Sequence, residues 1–249
     1  MPAFVIRLFV LLLLAAPALA DTLKVGMSAD YPPLHYKHDG QIVGVEADNA
    51  VSVGKILGRK VKIVELPFNE LLPALNAGKI DIVMSGISIT AERSEKMLFS
   101  DPYLRIGQMA IMHRSKITRY AQPWSIYRDG VRIGVEPGTT GESFAQDNLK
   151  DAVISQYPNP DAAFTALRED KIDLYVHDAP TSWQLANSSD NDDLISLYSP
   201  LTEEQLAWAV RLGNSDLLIE VNRALVMMRS SGTLPYILNR WIPVQVEVK

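Results

Sequence analysis

Ala74-Leu75-Asn76-Ala77-Gly78-Lys79-Ile80-Asp81-Ile82 returns later in the chain as Ala166-Leu167-Arg168-Glu169-Asp170-Lys171-Ile172-Asp173-Leu174. Each copy reads as the end of a helix, a tight exposed turn and the start of a buried strand. What surrounds the copies repeats as well. Ahead of the first copy, Leu23–Met27 reads as a strand, Ala47–Leu57 as a helix stopped at Gly58, and Val61–Val64 as a strand; a helix over Asn69–Ala77 leads into it. The strand from Ile80 to Met84 closes that set. Ahead of the second copy, Val131–Val135, Gly141–Leu149, Ala152–Gln156 and Asp161–Leu167 give strand, helix, strand and helix, and Ile172–Val176 ends the series as a strand. The order β-α-β-α-β in both halves predicts parallel strands joined by helical crossovers. Two α/β halves built alike leave a cleft between them, where small ligands bind.

Two apolar, strand-like passages, Gln108–His113 and Leu206–Val210, are placed to cross from one half to the other. The expected division is residues 21–108 for the first lobe, 109–205 for the second and 206–249 for a return to the first. Two crossings make a two-strand hinge that closes like a jaw. Leu217–Arg229 is an amphipathic helix ended by Ser230-Ser231-Gly232, and Tyr236–Trp241 a short last helix stopped by Pro243.

Composition narrows the class. The 249 residues are 47% hydrophobic and 21% charged with a net charge of −5, which is globular and carries no basic footprint for nucleic acid. Residues 1–20 read as a cleaved export signal: Arg7 supplies the positive start, Leu8–Ala16 the apolar core and Ala18-Leu19-Ala20 the small-x-small cleavage site. The apolar stretch is short for a membrane span, and a retained anchor is the competing reading. The mature chain is expected to start at Asp21, outside the cytoplasm, as a soluble protein. The absence of cysteine removes disulfides, thiolate metal sites and thiol nucleophiles. His35, His38, His113 and His177 lack paired ligand spacing, so no metal or cofactor is expected. There is no G-x-S-x-G elbow and no P-loop.

Three stretches carry chemistry. Asp81–Arg93 runs from a buried strand through Ser85, Gly86, Ser88 and Thr90 into a helix, and ligands in open α/β sheets sit beyond such strand ends. Arg93 falls in the first turn of that helix, where the dipole disfavours a cation. It either clamps a carboxylate by its two-pronged fork or pairs with Glu92 or Glu95. In the second half, Thr139 and Glu142 fit a capping box, so a helix begins there; its free N–H groups and the Thr140 hydroxyl suit an anion, or serve capping alone. Asp178, at the end of the repeated strand, offers a carboxylate for an ammonium group, or an N-cap ahead of Pro180. Tyr31 and Phe68 are aromatic residues near the early loops, either ligand cover or core.

Tyr31-Pro32-Pro33, Gly44-Val45-Glu46-Ala47-Asp48, Lys79-Ile80-Asp81, Ser88–Arg93 and Phe99-Ser100-Asp101-Pro102-Tyr103, continued by Gly138-Thr139-Thr140, Asp178 and the ending Gly232…Trp241, resemble family 3 bacterial solute-binding proteins. The likeness spans essentially the whole mature chain. It implies a type II periplasmic-binding fold, α/β and two-lobed, each lobe a mostly parallel sheet flanked by helices. It also implies a monomeric periplasmic receptor that closes over an amino acid and delivers it to an inner-membrane ABC permease. The residue matching the family's arginine, Arg93, would grip the ligand carboxylate with help from Ser88 and Thr140. Backbone groups around Ser85 and Gly86 would contribute, Asp178 would take the ammonium, and Tyr31 and Phe68 would pack on the side chain. Two departures stand out: the acid found near Ser28 in basic-amino-acid receptors is represented here by Asp30, and the disulfide of many members is missing. Ser85–Ile89 and Pro102-Tyr103-Leu104-Arg105 also resemble periplasmic cyclohexadienyl dehydratases. In that branch a general acid stands where this chain has Thr181, and a lysine where it has Gln108, so a binding protein rather than an enzyme is expected. A receptor that feeds a sensor instead of a permease is the third reading.

Overall fold

The repeat is one structural device used twice. In a computed structural model that describes residues 21–185, 188–197 and 199–242, helix α2 (Phe68–Asn76) and helix α6 (Pro160–Arg168) each run into a copy. The turn passes through a left-handed residue in both, Gly78 at φ 68° and Asp170 at φ 56°. The amides of Lys79 and Lys171 then bond back to the carbonyls of Ala74 and Ala166, each at 2.9 Å. Ile80 and Ile172 are buried. Each lies over the glycine of a neighbouring strand: a Cβ on Gly26 would stand 2.2 Å from Ile80 Cδ1, and one on Gly134 2.6 Å from Ile172 Cδ1. The repeated aspartates do the same job in both copies. Asp81 Oδ2 accepts from the amide of Lys24 at 2.8 Å, and Asp173 Oδ2 from the amide of Arg132 at 3.0 Å. These bonds fix each strand's register against its neighbour before the ladder begins. The strands therefore start two residues later than predicted, as β6 (Ile82–Ser88) and β12 (Leu174–Asp178).

The first lobe opens with β1 (Thr22–Met27) and a small antiparallel sheet of β2 (Asp30–Tyr31), β3 (His35–His38) and β4 (Gln41–Val43). After α1 (Val45–Leu57) and β5 (Lys60–Glu65), α2 leads into β6; α3 (Ala91–Ser94), β7 (Met97–Phe99) and β8 (Leu104–Ile106) follow. The second lobe takes β9 (Gln108–His113), α4 (Ile117–Tyr120), β10 (Arg132–Val135), α5 (Thr140–Asn148), β11 (Val153–Gln156), α6, β12, α7 (Ala179–Leu185) and β13 (Leu194–Ser196). The chain closes with β14 (Glu204–Arg211), α8 (Ser215–Ser230) and α9 (Thr233–Trp241).

The sheets match strand for strand. One has the order β5-β1-β6-β14-β7, with β8 also on β14; the other has β11-β10-β12-β9-β13. In each, the first three strands are parallel and the later ones antiparallel: β14 against β6, and β9 against β12. The two predicted crossing passages are thus a strand of the second sheet (β9) and a strand of the first (β14). They approach each other where the chain changes sheets, for the Gln108 carbonyl accepts from the Leu201 amide at 2.7 Å and the Gln108 amide donates to Thr202 Oγ1 at 2.9 Å.

Both faces of each sheet are covered, which is why the strands read as near-continuous apolar runs. On the first sheet, α1, α8 and α9 pack on Val25, Met84 and Trp208, while α2 packs on Val83, Ile87 and Ala209. On the second, Phe144 and Ala145 of α5 meet Ile133, Val135 and Val176, while Phe164 and Leu167 of α6 meet Ile111 and Tyr175 on the other face. Residues 1–20, read as a signal, and the helix stop at Pro243 lie outside the described residues. No described helix is long and apolar enough to cross a membrane.

Candidate functional site

The carboxyl ends of β1, β6, β10 and β12 open on one small cavity between the lobes, of about 30 Å³. It is lined by Ser28, Asp30, Tyr31, Phe68, Gly86, Ser88 and Arg93 from one side and by Gln108, Glu136, Thr139, Thr140, His177 and Asp178 from the other. Of the nine residues singled out in the sequence, eight reach this lining. Ser85 does not. It is buried behind the wall, where its hydroxyl accepts from the Ser28 amide at 3.0 Å and meets His35 Nε2 at 3.2 Å.

Arg93 is 8% exposed, and its position follows from its neighbours. Thr90 caps α3 and accepts from the Arg93 amide at 3.1 Å. The guanidinium lies over the ring of Phe68, its central carbon 5.8 Å from the centroid. Nη1 donates to the Ser88 carbonyl and Nη2 to the Gly138 carbonyl, both at 2.9 Å. The surface pairing with Glu92 does not form: Glu92 instead takes Lys96 Nζ at 2.6 Å. Burial pushes the Arg93 pKa down, and the nearby carboxylates of Asp178 and Glu204 oppose that.

Gly86 lets the wall come close. Its backbone is left-handed at φ 58°, and a Cβ there would stand 2.9 Å from Tyr31 Cε1 and 3.0 Å from Leu34 Cδ1. Its amide donates to Glu46 Oε1 at 2.9 Å, and that buried acid also accepts from Tyr103 Oη at 2.7 Å and Trp208 Nε1 at 3.0 Å. Tyr31, so positioned, donates its hydroxyl to Asp178 Oδ2 across the cleft at 2.7 Å, with its ring edge-on to His177.

On the second lobe, Thr139 caps α5 by accepting from the Glu142 amide at 3.2 Å, while Glu142 reaches back to the Gly138 amide at 2.8 Å. Thr139 and Thr140 thus stand at the start of a helix whose first turn faces the cavity. Asp178 accepts from Tyr31 and from Gln108 Nε2. Burial raises its carboxyl pKa, with His177 opposing. His177 is held between Thr181 Oγ1, 2.8 Å from Nδ1, and Glu136 Oε1, 3.6 Å from Nε2. Burial alone would lower its pKa, but Glu136 and Asp178 together outweigh that and the net direction is upward.

Sequence reading missed Glu136, Gln108 and Glu204 as parts of the site. Glu136 follows the last residue of β10 and could have been found by the strand-end rule that singled out Ser88. Gln108 and Glu204 stand where the chain changes lobes, and no local pattern marks them. Glu204 accepts from Ser88 Oγ at 2.6 Å, Thr140 Oγ1 at 2.8 Å, Thr202 Oγ1 at 2.8 Å and Gln108 Nε2 at 3.1 Å. Among the described residues no group of acids and histidines is placed to hold a metal ion. The cavity has the Arg93 guanidinium and the Asp30 carboxylate on one lobe and the carboxylates of Glu136 and Asp178 on the other, an arrangement that can receive a small molecule bearing both charges.

Known proteins share this architecture. The structure is similar to that of the ancestral amino acid-binding protein AncCDT-1, a precursor of cyclohexadienyl dehydratase, with a TM-score of 0.83, 34% identity and coverage of 89% of this chain and 95% of that one. ABC transporter arginine-binding protein 1 of Escherichia coli is 30% identical over 230 residues, spanning 90% of this chain and 92% of the relative. The cyclohexadienyl dehydratase of Pseudomonas aeruginosa is 36% identical over 161 residues, 64% of this chain and 60% of the enzyme, so enzymes occur among the relatives as well. Residues 23–244 match the model of the bacterial extracellular solute-binding proteins, family 3, and the chain belongs to that family.

Proposed function

We propose that the protein captures a small zwitterion, an amino acid, in the interlobe cleft and hands it to an ABC permease. The observation that carries this reading is the placing of Arg93 and Asp178, from opposite lobes, on the lining of one cavity. In this reading Arg93 holds the α-carboxylate and Asp178 the ammonium. Thr139, Thr140, Ser88 and the backbone near Ser85 and Gly86 complete the polar grip, and Tyr31 and Phe68 cover the side chain. The protein works in the periplasm as a monomer without a cofactor, after cleavage behind Ala20, with lobes divided as 21–108, 109–205 and 206–249. The binding function named by the arginine-binding relative supports the ligand class. A thermal-shift screen against amino acids tests it, since a ligand that binds only the folded state raises the melting temperature. For the amino acid found, Arg93→Ala should weaken binding at least tenfold, because a charged hydrogen bond is worth about 1.5–3 kcal/mol. Unchanged affinity by calorimetry would refute the assignment, and no response to any amino acid would refute the ligand class.

A dehydratase is the second reading, favoured by the likeness to the Pseudomonas enzyme. Against it, the position matched to the general acid is Thr181, whose hydroxyl is buried on His177. Turnover of prephenate or arogenate by purified protein would reverse the ranking.

A further inference from the structure

We propose that Glu204 is a built-in latch that holds the two lobes together when no ligand is bound. It heads β14, where the chain re-enters the first sheet, and its carboxylate collects donors from both jaws. Ser88, at the end of β6 in the first lobe, donates from 2.6 Å; Thr140, the first residue of α5 in the second, donates from 2.8 Å. Thr202 Oγ1 at 2.8 Å and Gln108 Nε2 at 3.1 Å bring in both chain crossings. Distances of this kind belong to charge-assisted bonds, which are stronger than neutral ones.

Of the two jaw contacts, the one from Thr140 depends on closure. Glu204 and Ser88 sit on adjacent strands of the same sheet, β14 and β6, whereas Thr140 heads a helix of the other lobe, so one carboxylate can accept from both only while the cleft is shut. Opening about the hinge takes the Thr140 hydroxyl away, whereas Ser88 in the same sheet and Thr202 and Gln108 at the crossing can stay. The latch therefore acts on the open–closed equilibrium rather than on folding of either lobe. A hydrogen bond that is made in the closed form and lost in the open one raises the closed population whether or not a ligand is bound. Losing one charged hydrogen bond on closure should lower the closed-to-open ratio about tenfold.

The chain has no cysteine, so two introduced ones can be labelled uniquely. Asn76→Cys and Asp147→Cys place spin labels on exposed positions of α2 and α5, the helices whose first turns face the cleft. Distances are read by pulsed electron resonance on protein unfolded, washed and refolded to remove any bound molecule. The parent is expected to show a major short-distance population. Glu204→Ala should move most of it to longer distances, and Glu204→Gln, which keeps an acceptor without the charge, should fall between. The double variant Ser88→Ala with Thr140→Ala removes both jaw donors and leaves the carboxylate in place; it should open the cleft as Glu204→Ala does, and it carries the test if Glu204→Ala fails to fold. Superimposable distributions in parent and variants, or a parent that is wholly open, would overturn the proposal. No ligand enters the experiment, so its result is independent of the amino-acid screen.

Discussion

Acidification should destabilise this protein through a residue that never touches the cavity. His35 is wholly buried, with Nδ1 3.3 Å from Ser28 Oγ, Nε2 3.2 Å from Ser85 Oγ and the Tyr31 ring edge-on at 5.3 Å. Both serine hydroxyls can turn to accept from an imidazolium, so the cost of protonation is burial of the charge rather than a lost hydrogen bond. Burial lowers the His35 pKa from 6.5 to about 4. A depressed histidine pKa means that the unfolded chain binds the proton more readily, so stability is fully present above pH 6.5 and is lost as pH falls toward 4. With one pH unit worth about 1.4 kcal/mol, the contribution lost by pH 5 is about 2 kcal/mol, rising to about 3.4 kcal/mol below pH 4. For a chain of this size 2 kcal/mol corresponds to a melting shift of about 4–8 °C. Asp178, Glu46 and His177 all have pKa values displaced upward and act in the opposite direction, so the parent's total acid response is smaller than this. Comparison with His35→Gln isolates the term. Melting temperatures at pH 7 and pH 5 should fall further in the parent than in the variant, by about the shift given. Equal falls in the two proteins would refute the argument.

Four other substitutions follow from the contacts. Asp173 is 4% exposed, and Arg132 and Lys116 hold its carboxyl below the usual range in spite of its burial, so Asp173→Ala should cost about 3 kcal/mol; Asp81→Ala, which loses one amide bond at the matching place, should cost about 1 kcal/mol. Urea unfolding of the two variants checks the ratio, and equal costs would sink it. Gly86→Ala forces φ 58° on a residue with a Cβ and presses on Tyr31, so a loss of about 1–2 kcal/mol is expected together with weaker binding of any amino acid found in the screen; an unchanged melting curve would contradict it. Glu46→Gln turns one of two acceptor oxygens toward a donor, the Gly86 amide and Tyr103 on one side or Trp208 on the other, and should cost about 1–3 kcal/mol by thermal unfolding.

What sequence reading could reach was decided by distance along the chain. The helix start near Thr90, the capping box at Thr139, the tight turn after α2 and the burial of the strand that follows are local effects, and each stood in plain view. Arg93 was legible because it breaks a local rule: a cation in a first helical turn needs a reason, and the reason is its place in the cavity. Ser85 was misplaced although strand alternation was available. It shares parity with Val83 and Ile87, which pack under α2, while Gly86 and Ser88 fall on the other parity and line the cleft. Glu204 could not be found at all. An acid heading a strand is ordinary, and its meaning comes from two hydroxyls that only the packing of one lobe on the other brings to it.

The duplicated string itself takes no part in the cavity. Asp81 and Asp173 pin the same bond in their own lobes, Ile80 and Ile172 cover the same glycine, and neither pair lines the cleft. A scaffold repeated so closely delivers whatever follows it to equivalent positions on facing sheets. That constraint is why the residues after each copy can diverge without disturbing either lobe: Gly86, Ser88 and Arg93 follow the first, His177 and Asp178 the second. Opposite charges therefore meet across the cleft because the two halves are alike in fold and unlike only beyond the strand ends. A symmetric pair of cations or of acids there would repel on closure. With Arg93 facing Asp178, the attraction between them offsets part of the cost of burying both charges when the jaws come together.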